Sequence, residues 1–219
     1  MKLLIFDLDG TLIDSKLDLA HAVNATRASL GMEGLPLEVI AAYVGNGAPV
    51  LVRRAVGPAA SEATVAQALE FFLAYYAEHM LDYTTVYPGV RDTLNCLMEE
   101  GRQMAVLTNK PVRMSKAIIQ GLGLNHHFFQ VYGGNSFEEK KPSPIGIAAL
   151  LEEAGCGLQD ALMIGDSAVD VKTARNAGVR SCGVTYGFQP ETLVDCSPDF
   201  LIEKIEELVD LVNTPPKED

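Results

Sequence analysis

After residue 85 the sequence alternates between short apolar runs and longer segments with helical periodicity. The runs that predict strands are Lys2–Phe6, at the start of the chain, and Met104–Leu107, Val131–Tyr132, Ala161–Ile164 and Ser181–Val184. The segments that predict helices are 90–100, 112–122, 144–154, 168–177 and 202–212. Apolar strands that alternate with helices are typical of βαβ units, in which helices cover both faces of a parallel sheet. The pattern predicts an α/β fold with a five- to six-stranded, mostly parallel sheet.

A stretch without strands interrupts this alternation. Glycines separate its helical segments, which are Ser15–Leu30, Pro36–Val44, Ala48–Val56 and Glu62–Leu81. We expect an all-helical insert, residues 15–83, joined to the rest through Ile13–Ser15 and Asp82–Gly89. Residues 1–14 and 84–219 then form the core, and its end, Thr214–Asp219, is expected to be a disordered tail.

Charge and composition exclude several kinds of partner. The 219 residues carry a net charge of −12, whereas nucleic acids and anionic membranes are bound by clustered Lys and Arg. No apolar run approaches a membrane span or the apolar core of a signal peptide. The four cysteines have no metal-binding or redox spacing, which indicates reduced thiols. We therefore expect a cytoplasmic protein, a monomer or homodimer, whose partner is a small molecule rather than a nucleic acid or a membrane.

Polar motifs follow four of the predicted strands, each at or just beyond the carboxyl end. They are Asp7 and Asp9, Thr108-Asn109, Lys141-Pro142, and Gly165-Asp166-Ser167 with Asp170. Each alone has an ordinary explanation, such as a helix cap, a turn or a solvated lysine. Ligands of open parallel sheets bind outside the carboxyl ends of the strands, so the four motifs together indicate one shared site.

The chemistry of these residues predicts a magnesium-dependent phosphoryl site. Clustered aspartates repel one another and repel a phosphate, and Mg²⁺, which prefers oxygen ligands, removes both problems. The expected ligands are Asp7, Asp166, a backbone carbonyl near Asp9, and Asp170 directly or through water. Lys141, Thr108 and Asn109 would neutralise the remaining phosphoryl oxygens.

Asp7 is the predicted nucleophile, since a carboxylate can attack phosphorus and form an aspartyl-phosphate. Asp9, two residues later, is the predicted acid and base: it would protonate the leaving oxygen and then deprotonate the attacking water.

These motifs resemble the four motifs of the haloacid dehalogenase superfamily and occur in the expected order. The resemblance covers residues 1–212 and implies a Rossmann-like core, and the helical insert resembles the C1-type cap of that superfamily. Within it, the chain is most similar to the phosphoglycolate phosphatase family. The matching segments are Tyr43–Ala48, Arg53–Ala55, Tyr87–Val90, Thr108–Pro111 and Lys140–Pro144.

The resemblance implies the same roles for Asp7, Asp9 and Asp166, with phosphate bound by Thr108, Asn109, Lys141 and Gly10, and Mg²⁺ as cofactor. One departure is Gly133-Gly134-Asn135-Ser136, where family members often carry Asp before Ser or Thr. This segment is outside the four motifs, so the predicted mechanism is unaffected.

The predicted substrate residues lie on the helical insert. Gly45, Asn46 and Gly47 would let backbone amides approach a small anion. Arg53 or Arg54 would pair with a carboxylate such as that of 2-phosphoglycolate, although both arginines are equally compatible with a solvated helix surface.

The predicted function is thus hydrolysis of a small phosphorylated metabolite, foremost 2-phosphoglycolate. The alternatives are a phosphatase of a sugar phosphate, a nucleotide or pyrophosphate, and a phosphomutase similar to β-phosphoglucomutase. A phosphonate hydrolase would need a lysine on the insert, which Tyr43–Val52 lacks. A receiver domain of signalling is disfavoured, because it needs neither an acid at Asp9 nor a helical insert.

Overall fold

A computed structural model describes residues 1–214, so the predicted tail lies, except for Thr214, outside the described residues. The strands are β1 (Leu3–Phe6), β2 (Ile13–Asp14), β3 (Thr85–Val86), β4 (Gln103–Leu107), β5 (Gln130–Tyr132), β6 (Ala161–Gly165), β7 (Arg180–Val184) and β8 (Phe200–Ile202). The helices are α1 (Lys16–Ser29), α2 (Leu37–Ala41), α3 (Ala48–Val56), α4 (Glu62–His79), α5 (Val90–Glu99), α6 (Val112–Gly121), α7 (Ile145–Ala154), α8 (Ala168–Ala177), α9 (Glu191–Val194) and α10 (Glu207–Asn213). Among residues 1–214, none of the helices has the length and apolar character that a membrane crossing requires.

Six strands form one sheet in the order β5-β4-β1-β6-β7-β8, and every neighbouring pair is parallel. The side chains of β1 show why the sheet is buried on both faces. Leu4 and Phe6 belong to one apolar cluster, Leu3 and Ile5 belong to another, and all four are inaccessible to solvent. Successive strand residues point to opposite faces, so a continuous apolar run requires a cover of helices on each side. The predicted α/β fold with a five- to six-stranded parallel sheet is confirmed.

Only helices occur between β2 and β3, namely α1 to α4. The two segments that join this helical insert to the core pair with each other as an antiparallel ribbon, Ile13 opposite Val86 and Asp14 opposite Thr85. The carboxylate of Asp18, buried in α1, accepts hydrogen bonds from the backbone of Tyr83 and from the backbone and hydroxyl of Thr84. The division into a core and an insert at these residues stays a prediction.

The predicted helix over 202–212 is wrong at its beginning. Phe200–Ile202 is the edge strand β8, with Val184 opposite Ile202, and the helix begins only at Glu207. A short apolar run cannot be assigned to a strand or a helix by periodicity alone. The ribbon strands β2 and β3 and the short helix α9 were also absent from the prediction.

Candidate active site

Strand β1 lies at the point where the strand order reverses, because its neighbours β4 and β6 follow it in the chain on opposite sides. The carboxyl ends of these three strands lead directly to Asp7, Thr108 and Asp166. Lys141 comes from the loop after β5. Such a reversal opens a crevice where ligands of open α/β sheets bind.

Asp7 and Lys141 form a buried ion pair at this crevice. The Lys141 Nζ lies 2.9 Å from Asp7 Oδ1, which also accepts a 2.7 Å hydrogen bond from the backbone N–H of Leu8. Burial raises the pKa of Asp7, Lys141 lowers it and Asp170 raises it again, with a net pKa of about 6. Neither contact uses Asp7 Oδ2, so that oxygen is available to a ligand.

Asp166 and Asp170 complete an acidic cluster around Lys141. One carboxylate oxygen from each of Asp7, Asp166 and Asp170 lies within 4.8 Å of the others. Burial, with the charges of Asp170 and Asp7, raises the pKa of Asp166 well above its usual range. Asp170 Oδ1 accepts a 2.6 Å bond from Lys141 Nζ, and Asp170 Oδ2 accepts bonds from the backbone and hydroxyl of Ser167. Burial alone would lower the pKa of Lys141, but Asp170 and Asp7 outweigh it and raise that pKa.

The acidic cluster fits a hard divalent cation. Three buried carboxylates face one ammonium group, which leaves excess negative charge, and all the donor atoms are oxygens. Two glycines make the close packing around Asp166 possible. A Cβ on Gly10 would lie 2.2 Å from Asp166 Oδ2, and a Cβ on Gly187 would lie 2.2 Å from Asp166 Cβ.

Thr108 and Asn109 are both buried beside the acidic cluster. The Asn109 side-chain amide donates to the carbonyl of Gly45 on the insert at 2.9 Å and to the carbonyl of Lys141 on the core at 3.1 Å. Its oxygen, Oδ1, is buried without a partner among the described residues. Buried acceptors are normally paired, so this oxygen is a candidate ligand contact.

Asp9 is held by residues that the sequence analysis did not assign to the site. Lys110 Nζ lies 3.0 Å from both Asp9 oxygens and donates to Tyr76 Oη, on α4 of the insert, at 2.7 Å. Ser15 Oγ also donates to Asp9 Oδ1 at 2.5 Å. Burial alone would lower the pKa of Lys110, but Asp9 and Tyr76 outweigh it and raise that pKa, so Lys110 is a buried cation.

Asp7, Asp9 and Lys110 line a cavity of about 40 Å³ between insert and core, whereas Lys141, Asp166 and Asp170 are not among its lining residues. Its lining comprises Asp7, Asp9, Thr108, Asn109, Lys110, Pro111 and Met114 of the core and Leu19, Val44, Gly45, Gly47, Ala48, Leu51, Phe72 and Tyr76 of the insert. A water needs about 10–15 Å³ on this scale, so the cavity holds only a few waters or a small ligand.

The substrate residues predicted on the insert divide into two groups. Gly45 and Asn46 contact the core through their carbonyls, which accept from Asn109 and, at 2.7 Å, from Lys140 Nζ. Gly47 lines the cavity. The structure brings neither arginine to it: Arg53 bonds to Glu62, and Arg54 donates to the carbonyl of Tyr43 at 3.3 Å.

Comparison with known sequences agrees with this geometry. The family model described as haloacid dehalogenase-like hydrolase matches residues 4–184. The chain is 41% identical over 214 residues to a phosphoglycolate phosphatase of Pseudomonas putida, covering 95% of this chain and 78% of the relative. It is 38% identical over 219 residues to a phosphoglycolate phosphatase of Vibrio vulnificus, covering 97% of this chain and 96% of the relative.

Solved structures show the same fold. The crystal structure of a predicted phosphoglycolate phosphatase from Haemophilus somnus matches with a TM-score of 0.91 and 30% identity, over 96% of this chain and 97% of the other. The resemblance found in the sequence, an enzyme similar to phosphoglycolate phosphatases, is thereby confirmed. The chain belongs to the haloacid dehalogenase-like hydrolase family.

Proposed function

We propose that this protein hydrolyses small phosphomonoesters in the presence of Mg²⁺, with 2-phosphoglycolate or a similar phosphorylated acid as substrate. The observation that carries the proposal is the convergence of Asp7, Lys141 and Asp166 from three separate loops onto one buried crevice. A nucleophile, a cation for the phosphoryl oxygens and an acidic cluster for a metal are what phosphoryl transfer requires.

Mg²⁺ would be held by Asp7, Asp166 and the backbone carbonyl of Asp9. When bound, the ion supplies positive charge that offsets the negative charge of the phosphoryl oxygens. Both Asp170 oxygens already accept bonds from Lys141 and Ser167, which favours a contact to the ion through water for Asp170.

The chain's own residues then carry out two displacements. Because Lys141 and the Leu8 N–H both engage Asp7 Oδ1, Oδ2 is the attacking oxygen. A bond forms between Asp7 Oδ2 and phosphorus, the bond to the leaving oxygen breaks, and Asp9 gives that oxygen its proton. A water then attacks the aspartyl-phosphate, its proton passes to Asp9, and phosphate and free Asp7 are released. Lys141, Thr108, Asn109 and Gly10 are the proposed contacts of the phosphoryl group.

The cavity bears on the size of the leaving group. The space of about 40 Å³ between insert and core admits a leaving group of two or three carbons, and a longer one would extend into the adjoining cavity of about 710 Å³, which shares Gly47, Asn109 and Met114 with it. The names of the relatives from Pseudomonas putida and Vibrio vulnificus support the same substrate.

The test is a phosphate-release screen with and without Mg²⁺ over 2-phosphoglycolate, sugar phosphates, nucleoside monophosphates and pyrophosphate, with glucose 1-phosphate to detect mutase activity. We expect the highest kcat/KM on 2-phosphoglycolate, no release without a divalent cation, and no release by the Asp7→Asn variant. A highest kcat/KM on a hexose phosphate or a nucleotide would overturn the substrate, and release by Asp7→Asn would overturn the nucleophile.

The oligomeric state and the location are also testable. Light scattering on the purified protein measures whether it is a monomer or a homodimer, as expected. The expected cytoplasmic location is checked by cell fractionation.

A further inference from the structure

Most of the polar side chains that line the cavity belong to the core, with Pro111 and Met114 beside them, whereas the insert contributes mainly apolar groups. Its insert side consists of Leu19, Val44, Ala48, Leu51 and Phe72, together with the loop of Gly45 and Gly47. Tyr76 is the exception among the insert side chains that line it. Opposite Tyr76 stands Lys110 of the core, a cation that none of the four sequence motifs assigns to catalysis.

Lys110 is positioned by Asp9 and Tyr76 and is almost completely buried. Its Nζ lies 3.0 Å from each oxygen of Asp9, 2.7 Å from Tyr76 Oη, and 4.5 Å from the centre of the Tyr76 ring. A buried ammonium group needs an anionic partner, and in this structure Asp9 supplies it.

The Tyr76 hydroxyl retains an unused donor. It accepts from Lys110, and no hydrogen bond donated by it occurs among residues 1–214. Burial raises the pKa of Tyr76 to about 12 although Lys110 lowers it, so the hydroxyl keeps its hydrogen at neutral pH. The side chain lines the cavity, so this hydrogen can be donated to a bound ligand.

We propose that Lys110 Nζ and Tyr76 Oη together bind the carboxylate of the leaving group and so select phosphorylated acids over uncharged phosphomonoesters. This inference rests on the proposed function and deepens it. Arg53 and Arg54, the cations predicted for this role, bond to Glu62 and Tyr43 and do not line the cavity. Lys110 is the basic residue that does line it.

The short length of such a substrate suits this assignment. In 2-phosphoglycolate one methylene separates the carboxylate from the oxygen that Asp9 protonates. Lys110 Nζ lies only 3.0 Å from Asp9, so the carboxylate can contact Lys110 while that oxygen contacts Asp9. A carboxylate that engages Lys110 takes over the role of counter-ion from Asp9, which leaves the Asp9 side chain to take up a proton from solvent and to donate it to the leaving oxygen.

The test compares 2-phosphoglycolate with its amide, 2-phosphoglycolamide, which has the same shape without the charge. For wild type we expect kcat/KM to be at least about tenfold higher on the acid, as for one charged hydrogen bond. Tyr76→Phe keeps the ring and removes the hydroxyl, and we expect the acid-to-amide ratio of kcat/KM to fall about tenfold, mainly through KM for the acid.

Lys110→Met is the second variant. We expect its kcat/KM to fall on both substrates, because Lys110 also positions Asp9. The acid-to-amide ratio of kcat/KM should in addition fall about 10- to 100-fold. Tyr75→Phe is the matched control, since Tyr75 lies next to Tyr76 on α4, stacks on Phe71 and does not line the cavity. Its ratio is expected to equal that of wild type.

A binding measurement, which needs no turnover, tests variants whose activity is too low for kinetics. In the Asp7→Asn background with Mg²⁺, calorimetry is expected to show that Tyr76→Phe weakens binding of the acid about tenfold more than binding of the amide. Phosphatase activity with an unchanged ratio in both variants overturns this inference and leaves the proposed function standing. A wild-type protein that releases phosphate from no phosphomonoester overturns both.

Discussion

Lys141 lies between Asp7 and Asp170 and is almost completely buried. A buried ammonium between two carboxylates has a fixed position, so it holds Asp7 Oδ1 and leaves Oδ2 without a contact to Lys141. At the scale of single residues, the proposed mechanism therefore depends on which oxygen of Asp7 is already occupied.

The nucleophile gives the first prediction. Asp7→Ala removes the atom that would attack phosphorus, and we expect turnover of 2-phosphoglycolate to fall below detection in a phosphate-release assay. Retained folding is checked by circular dichroism. Turnover at the wild-type rate would exclude a covalent role for Asp7.

The acid gives the second prediction. Asp9→Asn keeps the size of the side chain and removes its proton transfer, so we expect kcat to fall by about 10²- to 10⁴-fold. Ser15→Ala is the control, because it removes a hydrogen bond to Asp9 and leaves the carboxylate in place. An unchanged kcat in Asp9→Asn would assign the proton transfer to another group.

Sequence reasoning proposed most of the residues at this crevice and missed Lys110. Asp7, Lys141 and Asp166 were predictable because each follows an apolar strand, and parallel strands bring such ends together. Lys110 directly follows Thr108-Asn109, and that adjacency was the available signal. Its partner Tyr76 is 34 positions away on a helix, and no local pattern links the two.

At the scale of elements, the loop before α3 packs closely against the core, with Gly47 next to the backbone of Asn109. Gly47 has φ of 82°, and a Cβ there would lie 3.0 Å from the Asn109 carbonyl oxygen and 3.3 Å from Lys140 Nζ. Gln189 donates to the carbonyls of Ala42 and Val44 in the same region, at 3.0 and 2.9 Å. The insert therefore meets the core through a main chain that has little tolerance for added atoms.

Gly47→Ala tests this contact. The methyl group displaces the loop from Asn109, so we expect kcat/KM for 2-phosphoglycolate to fall by at least about tenfold. Gly57→Ala is the control: Gly57 has nearly the same backbone angles as Gly47, φ 88° and ψ 165° against φ 82° and ψ 163°, and a Cβ there meets no atom within 4 Å. It shares the backbone strain without the collision, so its activity should stay at the wild-type level, and equal losses in both variants would contradict the prediction.

Asp18 supplies another prediction at this scale. Its carboxylate accepts from Tyr83 and Thr84, where the chain leaves the insert. Asp18→Ala leaves these donors unpaired, and we expect the free energy of unfolding to fall by about 3 kcal/mol in urea denaturation. Asp92→Ala, at an exposed first turn of α5, should cost less than about 1 kcal/mol. A loss of that small size at Asp18 would mean that the junction contributes little to stability.

The element that sequence reasoning misassigned is β8, the edge strand. Its short apolar run, Phe200–Ile202, stands close to the periodic segment that becomes α10. Pairing with β7 decides in favour of the strand, and a tertiary contact of that kind is not encoded in local periodicity. The strands of the sheet centre were predictable because they are buried on both faces.

At the scale of the whole molecule, the net charge of −12 coexists with an acidic cluster concealed between sheet and loops. Burial raises the pKa of Asp7 to about 6 and raises that of Asp166 as well. The folded protein without metal therefore binds protons that the unfolded chain has already released. The stability that these two carboxyl groups contribute is therefore full below the unfolded pKa of about 4 and falls as the pH rises through the folded pKa of Asp7, about 6.

Magnesium competes with protons for these carboxylates. We therefore expect Mg²⁺ to raise the Tm more at about pH 7.5 than at about pH 5, as measured by differential scanning fluorimetry. Asp166→Asn should abolish most of the difference, whereas Asp195→Asn, at an exposed position, should preserve it. A rise in Tm that is equal at both pH values would argue against metal binding at the buried cluster.

The position of the insert on the core was beyond sequence reasoning. Helical periodicity predicted α1 to α4, but the contacts between insert and core join residues far apart in the chain, such as Lys140 and Asn46, 94 positions apart. Arg53 illustrates the limit: its charge suggested a substrate contact, yet Glu62 is its partner.

The amide of Asn109 bonds at once to Gly45 of the insert and to the backbone of Lys141. A design that replaces the insert with another helical domain must therefore place a backbone carbonyl where that of Gly45 lies. Without it, the replacement will disturb the loop that carries Lys141. Under the proposed function, a change of the insert that alters specificity would therefore also alter reactivity through the side chain of Asn109.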